Sequence, residues 1–80
     1  MRLPRNLSAE DLVQTLKPLG YRVTRQTGSH LRLTTAQQGE HHITIPNHNP
    51  LRVGTLSAIL SDISEHFSMT REECLQKLFK

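Results

Sequence analysis

Five residues, Gln26-Thr27-Gly28-Ser29-His30, stand between two segments of alternating polarity and limit the possible folds more tightly than any other stretch of the chain. Tyr21, Val23 and Arg25 share one parity before them, and Leu31, Leu33 and Thr35 share one parity after them, as two half-buried strands require. So short a loop implies an antiparallel hairpin. Gly28 is expected at its tip, because glycine takes positive φ without a Cβ penalty. His30 has the parity opposite to the leucines, which turns it away from the core, with Arg32 next on the same side.

The flanking sequence supplies the rest of a small α+β scaffold. A first helix is predicted over residues 8–19, with Ser8 and Asp11 as a capping box and Leu12, Val13, Leu16 and Leu19 at helical spacing. Pro18 disturbs its last turn, and Gly20 is suited to the left-handed position that closes it. After the polar connection 36–40, His41-His42-Ile43-Thr44-Ile45 reads as a third strand ended by Pro46. Ile43 and Ile45 share the core parity with His41, whereas His42 and Thr44 join His30 and Arg32 on the other face. Leu56, Ile59, Leu60, Ile63 and Phe67 mark a second helix over 56–67, entered through Gly54 and Thr55. A capping box of Thr70 and Glu73 opens a short third helix.

The expected fold is therefore helix-strand-strand-strand-helix with an extra C-terminal helix, a three-stranded antiparallel sheet carrying its helices on one face. The chain reads as one domain over residues 1–80, with a basic arm over 1–7, a core over 8–67 and a terminal helix over 70–80. Leu12, Leu16, Val23, Leu33, Ile43, Ile45, Leu56, Ile59, Leu60 and Ile63 should form the core. Arg22, Thr24, Gln26, His30, Arg32, His42 and Thr44 should line the bare face, with the register open to a bulge at Gly28.

With 80 residues there is no room for a deep enclosed cavity, so any chemistry belongs on the surface. A single cysteine, Cys74, cannot form an internal disulfide and suits a reducing cytoplasm. No apolar h-region or membrane span is encoded at the start of the chain. The net charge is +3, and its distribution is uneven. Residues 12–60 carry Lys17, Arg22, Arg25, Arg32 and Arg52 against Glu40 alone, whereas residues 61–80 carry four acids against three bases. A basic sheet above an acidic tail suits a polyanion such as nucleic acid.

Together the blocks Gly20-Tyr21, Gly28-Ser29-His30, Ile43-Thr44-Ile45-Pro46 with His48, Gly54-Thr55-Leu56 with Ile59-Leu60, and the 70–78 helix resemble the HicA-type mRNA interferase toxins, the YcfA-like family. The resemblance covers nearly the whole chain. It implies a fold like the double-stranded-RNA-binding domain, endoribonuclease activity, a catalytic His30, and neutralisation by a HicB-type antitoxin. The chain departs from the pattern in two places. Asn47 and Asn49 flank His48 where relatives are often more basic, and the second helix runs on through Ser64-Glu65-His66-Phe67.

The chemistry of RNA points to the same histidine. RNA carries its own nucleophile, the 2′-hydroxyl, so a protein needs chiefly to remove that proton, hold the phosphate in line and offset developing charge. A neutral imidazole accepts such a proton and can begin this. The backbone of Gly28-Ser29 with Arg22 and Arg32 would hold phosphate oxygens, and His42 and His48 are further candidates for RNA contact or for the general acid. No metal or other cofactor is called for. His41 and His42 point to opposite faces and cannot share a tetrahedral ion. Three function classes stay open: an endoribonuclease toxin, a non-catalytic RNA-binding module and a protein-interaction domain.

Overall fold

The computed structural model describes residues 3–79, so the first two positions of the expected arm and the last of the expected terminal helix lie outside the described residues. Its elements run α1 (Ala9–Thr15), a 3-10 turn (Lys17–Leu19), β1 (Arg22–Gln26), β2 (His30–Thr35), β3 (His41–Pro46), α2 (Val53–His66) and α3 (Arg71–Phe79). The strands form one antiparallel sheet in the order β1-β2-β3. This is the expected α+β arrangement. The inner face of the sheet, Leu31, Leu33, Ile43 and Ile45, closes against Ala9 and Leu12 of α1, Leu16 at its C-cap, Leu56, Ile59, Leu60 and Ile63 of α2, and Cys74 and Leu75 of α3.

Both capping boxes form. The Asp11 backbone N–H donates to Ser8 Oγ and the Ser8 N–H to Asp11 Oδ2, and Thr70 and Glu73 make the same reciprocal pair at 2.8 and 3.0 Å. The first helix ends earlier than its apolar spacing suggests. Pro18 has no N–H to continue the ladder, so the chain tightens into the 3-10 turn, which Gly20 closes at φ +82°. A Cβ on Gly20 would meet Thr35 Oγ1 at 2.7 Å, and that buried hydroxyl donates to the Leu19 carbonyl. The second helix instead begins earlier, at Val53. Its first turn, Val53 to Thr55, precedes the buried stripe that begins at Leu56, and Val53 is exposed although it stands at helical spacing from Leu56 and Leu60.

Two expectations about β1 fail for one reason. Arg22 pairs with Thr34 and Val23 with Leu33, but Arg25 then pairs with Arg32, leaving Thr24 as the extra residue of a bulge. Beyond the bulge the parity reverses. Arg25 therefore joins the bare face, and Gln26, opposite Leu31, leaves it. Val23 keeps its inward parity but is 40% exposed, because the helix layer does not extend over the β1 edge. It lines a shallow groove with Glu10, Val13, Gln26, Leu31 and Asn47 instead of joining the core.

No bulge falls at Gly28, where the sequence left the register open, and Gly28 does not adopt positive φ. Its turn is closed by a side chain. The Thr27 N–H donates to the His30 carbonyl at 2.9 Å, and the His30 N–H donates to Thr27 Oγ1 at 3.1 Å. Nothing lies within 4 Å of where a Gly28 Cβ would stand.

Candidate active site

His30 opens β2 opposite Pro46, at one end of the bare sheet face. Thr27 fixes its backbone from both sides, and the Ser29 carbonyl accepts the Asn47 N–H at 2.8 Å, which anchors the loop to the segment after β3. The imidazole is exposed, with Nδ1 2.9 Å from Ser29 Oγ. Nε2 has no partner among the described residues. When Nδ1–H donates to Ser29, Nε2 presents a lone pair; a second proton turns the same atom into a donor.

Arg32 lies two positions along β2 on the same face, between Arg25 of β1 and Thr44 of β3. Arg22 follows at the far end, opposite Thr34. All three arginines are exposed, and no ion pair engages any of them among the described residues. They form a cationic track that runs along the sheet from His30. Planar guanidiniums left unpaired are suited to binding phosphate oxygens two at a time.

The other expected site residues separate. Gly28 and Ser29 sit in the loop beside His30, and the vacancy around Gly28 leaves room for a ligand backbone to approach. His42 is on the face as expected, but its ring is engaged on both sides, by Thr34 Oγ1 at 2.7 Å on Nδ1 and by Glu40 Oε2 at 2.9 Å on Nε2. His48 is exposed in the loop after β3, where its carbonyl accepts the Ala9 N–H and its own N–H donates to the Pro46 carbonyl. No contact joins its imidazole to His30 among the described residues. Arg25 and Thr27 were the residues missed. A charged side chain at an inward parity was the sign of a bulge before Arg25, and a threonine three residues before His30 was the sign of a side-chain-closed turn.

A family profile described as the HicA toxin of bacterial toxin-antitoxin matches residues 9–64, well over half of the chain. The chain belongs to the HicA toxin family. Its matched region spans α1, the sheet and nearly all of α2, and so contains every residue of the track just described. No curated protein and no solved structure matches the chain. A place among HicA toxins implies an antitoxin partner. Among the described residues no helix is long and apolar enough to cross a membrane.

Proposed function

We propose that this HicA-family chain is a cytoplasmic, metal-independent endoribonuclease toxin that cleaves mRNA with His30 as its general base. The observation that carries this reading is an exposed imidazole with one nitrogen held by Ser29, at the head of a track of three guanidiniums that make no ion pair among the described residues. Nε2 removes the 2′-hydroxyl proton. The 2′ oxygen then bonds to phosphorus as the bond to the 5′ oxygen breaks, and that oxygen leaves with a proton from the imidazolium or from water. The products are a 2′,3′-cyclic phosphate and a 5′-hydroxyl. Arg32 and Arg25 offset the charge that builds on the phosphoryl oxygens.

Antitoxin control follows from the same exposure. A HicB-type partner needs only to lie over the imidazole and the arginines to block the reaction, and an acidic covering surface would meet the unpaired guanidiniums favourably. His48 stands beside this surface as an additional RNA contact.

Expression of the chain alone tests the reading. The wild type should arrest growth and degrade transcripts in the presence of chelator, whereas His30→Ala should accumulate, fold and be tolerated, with cleavage lowered by about 10²- to 10⁴-fold. Unchanged cleavage by folded His30→Ala would remove the histidine from its role. RNA binding without cleavage by either form would favour the non-catalytic binding module.

A further inference from the structure

At the far end of the bare face from His30, Gly20, Arg22, Thr34, Thr35, Ala36, Gln37 and Glu40 bound an open depression of about 570 Å³. Glu40 is out of place on a track for polyanions. It is the lone acid between residues 12 and 60, and a carboxylate repels phosphate. Its position is nevertheless held by a chain of side chains. Thr24 Oγ1 lies 3.0 Å from Thr34 Oγ1, Thr34 Oγ1 lies 2.7 Å from His42 Nδ1, and His42 Nε2 lies 2.9 Å from Glu40 Oε2. A hydroxyl donating to Nδ1 leaves the neutral ring's proton on Nε2, aimed at the carboxylate. The bulge residue Thr24 begins this chain, so the feature that turned Arg25 onto the face also braces Glu40.

Across the same depression stands Arg22, which makes no ion pair with Glu40 although both line it. The Gln37 amide also lines the depression, with its Nε2 3.5 Å from the Pro18 carbonyl and its oxygen left as an acceptor. An acceptor-rich anion and a donor-rich cation held apart in an open hollow do not form a phosphate site. They match the edge of a nucleobase, where donors and acceptors stand side by side. Guanine matches best, since its N1–H and N2–H groups give a carboxylate adjacent donors while O6 accepts from a guanidinium or amide. Adenine and cytosine offer a carboxylate only an amino group, and uracil only an imino group.

We propose that this depression is a base-binding subsite that selects guanine in the RNA strand lying along the track, with Glu40 as the selecting residue and His42 as its positioning residue. The proposal rests on the ribonuclease reading above for the course of the strand. From His30 to Thr34 along β2 is about 13 Å at the usual strand rise. One or two extended nucleotides bridge that distance, so the selected base lies that far from the phosphate held at His30.

The test uses the whole chain and short uridine oligonucleotides with 2′-O-methyl riboses, which cannot be cleaved, each carrying one guanosine at a different position. Fluorescence anisotropy at low salt should show one position at which guanosine tightens binding by about 5- to 150-fold over uridine. Glu40→Gln, a change on an exposed side chain, should abolish that preference while leaving affinity for the all-uridine strand equal or slightly higher. His42→Ala should reduce the preference, and His42→Gln, which retains a donor, should restore part of it. Equal binding of all positions, a preference for another base, or a guanosine preference that survives Glu40→Gln would overturn the subsite while RNA binding itself stands. If no oligonucleotide binds, the ribonuclease reading and the subsite fall together.

Discussion

His41 faces the inner side of the sheet and His30 the outer side, and the two imidazoles are treated differently. On the inner side, Tyr21 is 2% exposed and its hydroxyl donates to His41 Nδ1 at 2.7 Å, while His41 Nε2 lies 3.2 Å from Asp62 Oδ1. His66 stacks on His41 with ring centroids 4.3 Å apart, and its Nε2–H donates to the Gln37 carbonyl at 2.9 Å. Phe67 meets both Tyr21 and His66 edge-on. Each named polar group on this side finishes on another part of the molecule. On the outer side, His30 Nε2 and the guanidiniums of Arg22, Arg25 and Arg32 have no ion pair among the described residues, and all four side chains are exposed. The closed cluster fixes β3, α2 and the β2–β3 turn to one another, whereas the open one is left with bonding capacity for a ligand. Histidine alone therefore says little about function; what its second nitrogen meets says more.

Substitutions separate the two sides. The largest contrast is that His30→Ala should lose cleavage by the factor given above with little change in melting, whereas His41→Ala should lose stability and keep its rate. Removing His41 leaves the buried Tyr21 hydroxyl without its acceptor, a loss of about 1–3 kcal/mol readable by urea denaturation. Equal damage to rate in folded His41→Ala protein would erase the distinction.

Alkaline titration sharpens it further. Burial, with Asp62 and Cys74 contributing like charge, raises the Tyr21 phenol well above its ordinary range. The folded state thus keeps a proton that the unfolded chain releases above pH ~10, so stability falls as pH rises past that point, by at most about 1.4 kcal/mol per pH unit. Tyr21 is the sole tyrosine, which makes its ultraviolet signal unambiguous. Tyrosinate absorbance should emerge only together with unfolding, and Tyr21→Phe should flatten the alkaline decline. A tyrosinate signal from folded protein would mean that the cluster is open.

The smallest effect belongs to the outer side. If Arg22, Arg25 and Arg32 each neutralise a phosphate of single-stranded RNA, log K should fall with log salt at a slope of about −2, and Arg25→Ala should bring it to about −1.4. An unaltered slope would return Arg25 to the inward position that simple alternation assigns it.

Much of this was legible in the sequence because alternation, helical spacing and capping boxes are local signals, and here they agree with one another. Leu31, Leu33, Ile43 and Ile45 announce the inner face, and Ser8, Asp11, Thr70 and Glu73 announce where two helices begin. The outward placement of His30 followed from parity alone. Arg25, Gln26 and Val23 were misplaced because each depends on something outside its own neighbourhood. Thr24 is a bulge only in relation to β2, and Val23 is uncovered only because the helices stop short of it. The closed cluster was hidden for the same reason, since Tyr21, His41 and the α2 pair Asp62 and His66 come from three separate parts of the chain.

The exposure of β1 has a dynamic consequence. All five of its side chains are exposed, so no packed residue holds it and the ladder to β2 is its principal attachment. Such a strand exchanges its amide hydrogens through brief local opening, at a free energy well below that of global unfolding, while β2 and β3 remain protected. Two of the three track arginines, and the threonine that braces Glu40, ride on this strand. The face proposed to bind RNA thus has a stiff half that carries the histidine and a compliant half that could settle against the contour of a bound strand.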